Sequence, residues 1–440
     1  MKNFGRFIWV FVNPKNILHY DNFLSLALFI LFFMGLGKVQ IEFLNPISDA
    51  FSDVELTDIV YSQFDKNGNY RETINGETEL DPNITLINIG HLSRGEIADL
   101  ISMVNAYDPK VIGLDALFRA PKDTIMDTYL ASVLSSVENL VLACEAKNFQ
   151  QESLDQKHGI GTFNSLKFST PQISNTSENF GFVNIQTEGE TSDLYDEFAI
   201  CRKFIPEAKI QETNDTIHSF GAEIVYQYQP QALDRLHQRN LASEVINYVG
   251  NIVYYGKAHF RTYDWYEVFD GQIDPKDIKD KLVLFGFMGN TLDQKTDEDR
   301  FFTPLNDKYI GKAHKDMYGV VLHANIISTI LKANYIDEMS DGVGIFIGLL
   351  ISFFVFAIYR PIYYDYKVWY DGVTKLIGIV VVFLIMTVIG YVFWKYDYEI
   401  KFHPVFLGIV LLAGDYLEIY YGLGKNIARK IKFKKKVIID

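Results

Sequence analysis

The stretch "ITLINIGHLSRGEIADLISMVNAYDPKVIGLDALF", residues 84–118, decides the fold of the largest segment of the chain. Its first seven residues form a nearly continuous apolar run, which is typical of a buried strand. Ser93 and Glu96 form a capping box, and the apolar residues that follow recur at helical spacing. Pro109 closes the helix, and a second apolar strand follows at 110–118. Strand, helix and strand in this order predict a right-handed crossover in a parallel sheet that is covered on both faces.

The same alternation continues along the chain. The further predicted elements are helices near 123–136, 216–228 and 319–334, strands at 139–146, 180–185 and 281–288, and a hairpin formed by 59–64 and 69–74. The rest of the stretch 147–215 is polar, and we expect it to be irregular. Residues 45–335 are therefore predicted to form an α/β domain with a largely parallel sheet.

Four apolar segments predict membrane-spanning helices, because a helix needs roughly 17 to 25 residues to cross a bilayer. The predicted spans are 23–44, 342–359, 376–394 and 404–422, and they leave a terminal segment 1–22 and a basic tail 423–440. The first apolar segment could instead be a cleaved signal peptide. The small-residue site "SDA" at 48–50 lies too far beyond the apolar core for that, so an uncleaved anchor is predicted.

The charge distribution predicts the orientation in the membrane. Segments 1–22 and 423–440 are both basic, and positively charged flanks stay in the cytoplasm. Four spans place both termini on one side, so we expect both termini in the cytoplasm and the large domain outside it. Residues 38–341 carry 47 acidic and 26 basic residues, a net charge of −21. Such an acidic domain is not expected to bind nucleic acid.

The chain has two cysteines, Cys144 and Cys201. A disulfide between them is possible outside the cytoplasm. The alternative for Cys144, in "NLVLACEA", is a small buried residue of a strand.

The stretch "KLVLFGFMGNTLDQKTDEDRFFTPL", residues 281–305, runs from an apolar strand into a cluster of acids. It matches neither glycine-rich phosphate-binding pattern, and its acids would repel a phosphate. It also lacks the glycine and the alternating oxygen ligands of an EF-hand loop. Calcium bridging by Asp293, Asp297 and Asp299 remains an alternative to a solvated acidic loop. We expect no metal ion and no cofactor.

Two single residues are candidates for a binding role. Asp115, at the carboxyl end of a predicted parallel strand, would face the crevice where such sheets bind ligands, or else cap a loop or helix. His323 lies on an apolar helix, where it is either structural or a ligand or base. No nucleophile elbow occurs, and no cysteine lies near a plausible histidine, so no catalytic residue is predicted.

Five pieces of the chain occur in the order and spacing of one family. They are "PKVIGLDALF", "NFGFVNI", "INYVG", "KLVLFGFMGNTLDQKTDEDRFFTPL" and "MYGVVLHANIISTIL". Residues 45–335 therefore resemble the second CHASE family, extracellular sensory domains named for the cyclases and histidine kinases that they serve. One helix before the domain and three after it are also the usual frame of the family. The resemblance implies signal detection and favours a homodimer, but it supplies no ligand. The positions that we predict as ligand-binding are Asp115, Asn184, Asp293, Thr303, Pro304, His323 and Asn325.

The chain departs from the family at its carboxyl end. Members commonly continue into a catalytic output domain, whereas about eighteen residues follow the fourth predicted span. We therefore expect a non-enzymatic sensor or complex subunit in the inner membrane of a bacterium, with its main domain periplasmic or extracellular. It would relay its signal to a separate signalling or envelope protein. The basic tail could bind lipid headgroups or an acidic partner.

Asp415 and Glu418 lie three residues apart in the fourth predicted span and so share a helix face. Ionisable groups inside a span cost roughly 2.5–3.5 kcal/mol each, so they usually face protein or water. We expect an intramembrane contact with a partner or an ion path, or an early exit of the span that leaves both at the interface. These residues motivate the alternative of a transporter-associated subunit. A third alternative, an extracytoplasmic hydrolase, needs a base and nucleophile pair.

Overall fold

The computed structural model describes residues 13–37, 80–150, 159–188, 200–252, 259–294, 296–306, 314–402 and 405–437. The chain divides into two compact units, residues 50–337 and residues 1–49 together with 338–440. The predicted hairpin at 59–74 and the end of the first predicted span, 38–44, lie outside the described residues.

The elements are numbered in chain order. The helices are α1 (Pro14–Ile17), α2 (Tyr20–Gly37), α3 (Arg94–Asn105), α4 (Thr124–Leu134), α5 (Pro171–Ser174), α6 (Phe220–Tyr228), α7 (Leu233–Arg239), α8 (Trp265–Phe269), α9 (Gly319–Leu331), α10 (Asp341–Asp365), α11 (Tyr370–Tyr396) and α12 (Val405–Val437). The strands are β1 (Ile84–Asn88), β2 (Val111–Asp115), β3 (Leu140–Phe149), β4 (Gly161–Lys167), β5 (Asn179–Phe182), β6 (Gln186–Glu188), β7 (Ile200–Phe204), β8 (Glu207–Ile210), β9 (Thr216–His218), β10 (Glu244–Val245), β11 (Arg261–Tyr263), β12 (Leu282–Gly286), β13 (Arg300–Phe301), β14 (Met317–Tyr318), β15 (Asp337–Glu338) and β16 (Tyr398–Glu399).

The unit of residues 50–337 is built on a mainly parallel sheet. Six strands, in the order β11–β1–β12–β2–β3–β5, run parallel to one another. The sheet continues from β3 through β4, β8 and β9 with antiparallel, parallel and antiparallel pairing. The predicted fold class, an α/β domain with a largely parallel sheet, is therefore confirmed.

Helices cover both faces of the parallel strands. Ile112 and Leu114 of β2 belong to a buried apolar core that also contains the inner faces of α3, α4 and α8. Gly113 faces the opposite layer, where an added Cβ would meet Ile224 and Phe220 of α6. Alternate residues of a strand point to opposite faces, so the sheet lies between two layers of helices.

The capping box predicted at Ser93 is present at the start of α3. The Ser93 hydroxyl accepts from the Glu96 backbone N–H at 3.4 Å, and the Glu96 carboxylate accepts from the Ser93 N–H at 2.7 Å. Hydrogen bonds from the Ser93 hydroxyl and from the Ser93 backbone N–H to the Glu96 carboxylate lower the pKa of Glu96. The sequence therefore identified the start of this helix correctly.

The prediction that 147–215 is irregular apart from one strand was wrong. Strands β4, β6, β7 and β8 lie there, and β3 extends to Phe149, which pairs with Phe163. Burial along β4 alternates between fully and partly buried residues. These outer strands keep one partly solvated face, so they carry no continuous apolar run that the sequence could reveal.

Both cysteines are buried, and no disulfide joins them. Cys144 belongs to the core beneath the outer strands with Phe163 and Phe182, and burial raises its pKa to about 12. The interpretation of Cys144 as a buried strand residue is confirmed.

The second unit is a bundle of apolar helices. The three helices α10, α11 and α12 are long and apolar enough to cross a membrane. The helix α12 remains helical to Val437, well beyond the predicted end of the span at 422. Helix α2 packs on α10 and α12 through Phe29, whose ring lies 5.7 Å from that of Phe356 and 4.3 Å from that of Tyr416. That α2 spans the membrane stays a prediction.

Candidate functional site

Polar residues gather at the edge where the parallel strands end. Asn88 ends β1, Asp115 ends β2, and both pair in register with Gly286, which ends the intervening strand β12. Asp264 directly follows β11. Ligands of open α/β sheets bind outside the carboxyl ends of the strands, so this edge is the candidate site.

Asp115 lies next to the start of α9. Its register partner Gly286 packs so closely against Val320, in the first turn of α9, that an added Cβ would lie 2.5 Å from the Val320 Cβ. Asp115 is partly buried. Burial, and then the negative charge of Asp299, raise the pKa of Asp115 to about 8. Part of the Asp115 population is therefore protonated at neutral pH.

Asp299 is held at the amino end of α9. Its backbone carbonyl accepts from the Gly319 N–H at 3.2 Å, and a Cβ on Gly319 would lie 3.3 Å from its carboxylate oxygen Oδ2. Asp299 is exposed as a residue, but partial desolvation of its carboxylate, and then the charge of Glu298, raise its pKa to about 6. The amino end of a helix favours negative charge, which offsets part of this repulsion. The charge of Asp299 thus acts on Asp115 near the point where β2, β12 and α9 converge.

Two residues that sequence reasoning missed hold the loop after β12. The Asn88 side-chain oxygen accepts from the Met288 N–H at 2.8 Å and from the Gly90 N–H at 3.0 Å. The Asp264 carboxylate accepts from the Asn88 amide at 2.9 Å and from the Leu292 N–H at 2.8 Å. The available signals were a single polar residue ending an apolar strand and the capping pattern of Asp264 with Glu267.

A buried ion pair holds the loop that follows Asp115. Arg94 Nη1 lies 2.5 Å from the carboxylate of Asp127, and Arg94 Nη2 donates to the Ala120 carbonyl at 2.5 Å. The Arg94 guanidinium also lies 5.2 Å from the ring centre of Phe118. The hydrogen bond from Arg94 lowers the pKa of Asp127. The amino ends of α3 and α4 are thereby tied to the exit of β2.

Thr303 and Pro304 are buried and tied to the segment before α9. The Thr303 hydroxyl donates to Asp316 Oδ2 at 2.5 Å, and Asp316 Oδ1 accepts from the Thr303 N–H at 2.9 Å. Burial raises the pKa of Asp316 to about 6, although these hydrogen bonds oppose the rise. Thr303 thus fixes the entry to α9, and its predicted ligand contact stays a prediction.

The two predicted residues on α9 are buried. Asn325 accepts from the Val249 N–H at 2.9 Å and donates to the Gly250 carbonyl at 3.0 Å, so it holds the extended segment beside α9. The His323 ring meets Phe220 edge-on at 5.3 Å. Burial lowers the pKa of His323 to about 4, and its Nδ1 has no hydrogen-bond partner among the described residues. His323 is therefore a neutral core residue at neutral pH.

Asn184 and Asp293 lie apart from this group. Asn184 accepts from the Ala146 N–H at 2.7 Å and donates to the Ala146 carbonyl at 2.9 Å, which extends the pairing of β5 with β3. Asp293 is exposed and accepts from the Thr291 hydroxyl at 2.6 Å. In the described part of the chain, Asp293, Asp297 and Asp299 do not form a group whose carboxylates could share an ion. Ligand binding by Asn184 and Asp293 stays a prediction.

Asp415 has a cationic neighbour on the exposed surface of the helical bundle. Its Oδ1 lies 3.8 Å from Nζ of Lys375 on α11, which also pairs with Asp371 at 2.7 Å. Such pairing reduces the cost of a charge in a span. Glu418 is exposed on the same helix. The predicted contact of both acids with a partner subunit stays a prediction.

One comparison, with models of known protein families, gave a match to this chain. A model of the CHASE2 domain matches residues 73–358, well over half of the chain. The match contains the whole parallel sheet and reaches into α10. Neither the curated proteins nor the solved structures compared with the chain gave a match.

Proposed function

Because the chain belongs to the CHASE2 domain family, we propose that it is a non-enzymatic membrane sensor that relays an extracytoplasmic signal to a separate protein. CHASE2 domains are extracellular sensory domains, and three helices suited to crossing a membrane follow this one. The acidic domain is the detecting part, and its helices carry the change towards the cytoplasm.

The observation that carries this proposal is the connection from the domain to α10. Helix α9 is buried over Gly319–Ile330, and residues 332–340 alone join it to α10. Part of that linker is held by Arg239, the last residue of α7. Arg239 Nη1 lies 2.8 Å from Asp337 Oδ1, and its guanidinium lies 4.9 Å from the ring centre of Tyr335. We infer that a movement of α7 or α9 would be transmitted to the chain entering α10, because the segment that joins them is short.

The hydrogen bonding at the sheet edge supports a sensory role over a catalytic one. The side chains of Asn88, Asp264 and Asn325 bond to backbone groups of the loops around α9. Thr303 bonds to the Asp316 carboxylate just before α9. Asp115 and Asp299 remain as titratable groups at a position that touches the start of α9. A ligand or protein that neutralises or repels these carboxyl groups would act directly on the helix that leads to the membrane segment.

Isolation of the intact protein tests the proposal. The full-length chain is crosslinked in its native membrane, solubilised in mild detergent and purified, and the proteins that accompany it are identified. We expect a stoichiometric partner with a cytoplasmic output domain. Recovery of a homo-oligomer alone, repeated with crosslinkers of different length, would contradict the relay to a separate protein.

A further inference from the structure

A cluster of metal-ligating side chains lies at the outer edge of the sheet, away from Asp115. Glu207 of β8, His218 of β9 and His237 of α7 each present one ligand atom, and these atoms lie within 4.8 Å of one another. Glu207 and His218 are partly buried, and His237 is exposed. They line a surface pocket with Pro206, Leu236 and Leu241. Among the described residues, no other group of three or more histidines, cysteines and acids is this close.

A second carboxylate orients one of the two histidines. Oε2 of Glu223, on α6, lies 2.8 Å from Nδ1 of His218. The other Glu223 oxygen accepts from the Gln227 amide at 2.8 Å, which holds the carboxylate in place. A carboxylate on one imidazole nitrogen fixes the ring and leaves the other nitrogen, here Nε2, as the metal ligand. Metal-binding histidines in proteins almost always have such an outer partner.

The donor set selects the type of ion. Two imidazoles with one carboxylate suit Zn²⁺, whereas Ca²⁺ and Mg²⁺ require oxygen ligands. A tetrahedral zinc ion with bonds of about 2.0–2.1 Å keeps its donors roughly 3.4 Å apart. The ligand atoms, which lie within 4.8 Å of one another, therefore need to draw together by up to roughly 1.4 Å, which side-chain rotation at a partly exposed site supplies. A fourth coordination position would remain open to water.

We propose that Glu207, His218 and His237 form a Zn²⁺-binding site and that occupation of this site is a signal which the domain reports. The second half of this statement rests on the proposed sensory function, whereas the binding itself does not. The ion would join the β8–β9 edge of the sheet to the last turn of α7.

The path from this site to the linker is short. His237 and Arg239 lie two residues apart at the end of α7, and Arg239 also bonds to Glu244 through its Nε at 2.7 Å. The same guanidinium contacts Asp337 and the Ile336 carbonyl. Fixing His237 to the sheet edge would restrain the turn that holds residues 335–337, immediately before α10.

Metal binding is tested with the untagged full-length protein in detergent, stripped of metal with a chelator. We expect one Co²⁺ per chain with the visible absorption of a tetrahedral site, displaced by one equivalent of Zn²⁺. His218→Gln and His237→Gln should weaken binding at least 100-fold, and Glu223→Gln should weaken it about 10- to 100-fold. His91→Gln, at an exposed histidine outside the cluster, should bind as the parent does. No binding by the parent, or equal binding by His218→Gln, would overturn the site.

The signalling half is tested by hydrogen exchange of residues 332–340 with and without Zn²⁺. We expect Zn²⁺ to slow exchange in the parent and in Arg235→Gln, which removes an exposed charge from the same helix. Arg239→Gln should bind Zn²⁺ but lose the protection. Binding without protection in the parent would overturn this half alone. Absence of Zn²⁺ binding would overturn the metal site but not the sensor proposal, which the isolation of a partner protein tests separately.

Discussion

Among the described acidic residues, Asp115 has the pKa that differs most from that of an exposed carboxyl group. Its pKa is raised from 3.8 to about 8, so the folded protein binds this proton more tightly than the unfolded chain does. The stabilisation of the folded state by the protonated Asp115 carboxyl group is fully present below pH 4. It is lost progressively as the pH rises to about 8. The pKa values of Asp299 and Asp316 are raised to about 6. The stability that these two groups contribute is therefore already lost once the pH has risen to about 6.

We therefore predict that the unfolding temperature of the domain falls between pH 6 and pH 8 and that Asp115→Asn removes most of this fall. The measurement is thermal unfolding of the full-length protein in detergent across that range. Asp293→Asn, at an exposed acid of the neighbouring loop, is the control and should keep the parent's slope. An unchanged slope in Asp115→Asn would show that this carboxyl group does not titrate there.

Some residues of the candidate site could be recognised from the sequence, and others could not. Asp115 was found because a lone acid at the end of an apolar strand is a local signal. Asn88 and Asp264 were missed because they lie 176 residues apart along the chain and because Met288, which Asn88 holds, lies 200 residues from it. Thr303 and Asn325 were found by family resemblance. Only the structure shows that Thr303 bonds to the Asp316 carboxylate and that Asn325 bonds to the backbone beside α9.

At the scale of elements, Gly181 of β5 allows α6 to lie directly on the sheet. A Cβ at this position would lie 2.4 Å from the Phe220 Cα and 2.7 Å from the Phe220 backbone nitrogen. Backbone atoms cannot turn aside as a side chain can, so α6 would have to move. Since α6 packs on α9, this contact bears on the helix that leads to the membrane segment.

We predict that Gly181→Ala destabilises the domain by roughly 1–3 kcal/mol or more. That corresponds to a fall in unfolding temperature of roughly 2–4 °C for each kcal/mol in a domain of this size. Gly161→Ala, in β4, is the control because its nearest contact is a side-chain methyl group of Ile205 at 3.0 Å. Equal unfolding temperatures for the two variants would contradict the conclusion that Gly181 is needed for α6 to pack directly on the sheet.

The central elements were predicted well and the outer ones poorly. Strands β1, β2 and β12 are buried on both faces, and that burial requires the apolar runs by which they were recognised. Strands β7 and β8 are short and mix charged with apolar residues. They form because neighbouring strands offer backbone partners, and that condition is not visible in the local sequence.

At the scale of the whole molecule, the predicted orientation places the sensory domain and the loop between α10 and α11 on opposite sides of the membrane. Glu298 in the domain is exposed, and Val368 between α10 and α11 is 93% exposed. Both native cysteines are buried, so a maleimide that cannot cross membranes should label the parent weakly.

We predict that Glu298→Cys is labelled in intact cells, or in spheroplasts where an outer membrane is present. Val368→Cys should be labelled only after the membrane is opened. The unmodified parent serves as the background, and labelling of both variants in denaturant checks that each cysteine is reactive. Labelling of both positions from the same side would overturn the orientation.

The sequence by itself determined the α/β class, the capped helix α3, the apolar helices α10 to α12 and the family. Each of these depends on local periodicity, hydropathy or an ordered set of motifs. Tertiary structure alone decided the outer strands, the electrostatic effect of Asp299 on Asp115, and the approach of Glu207 and His218 to His237. These features depend on which distant residues the folded backbone brings together, because a carboxylate or imidazole acquires its partners and its pKa only from neighbours in space.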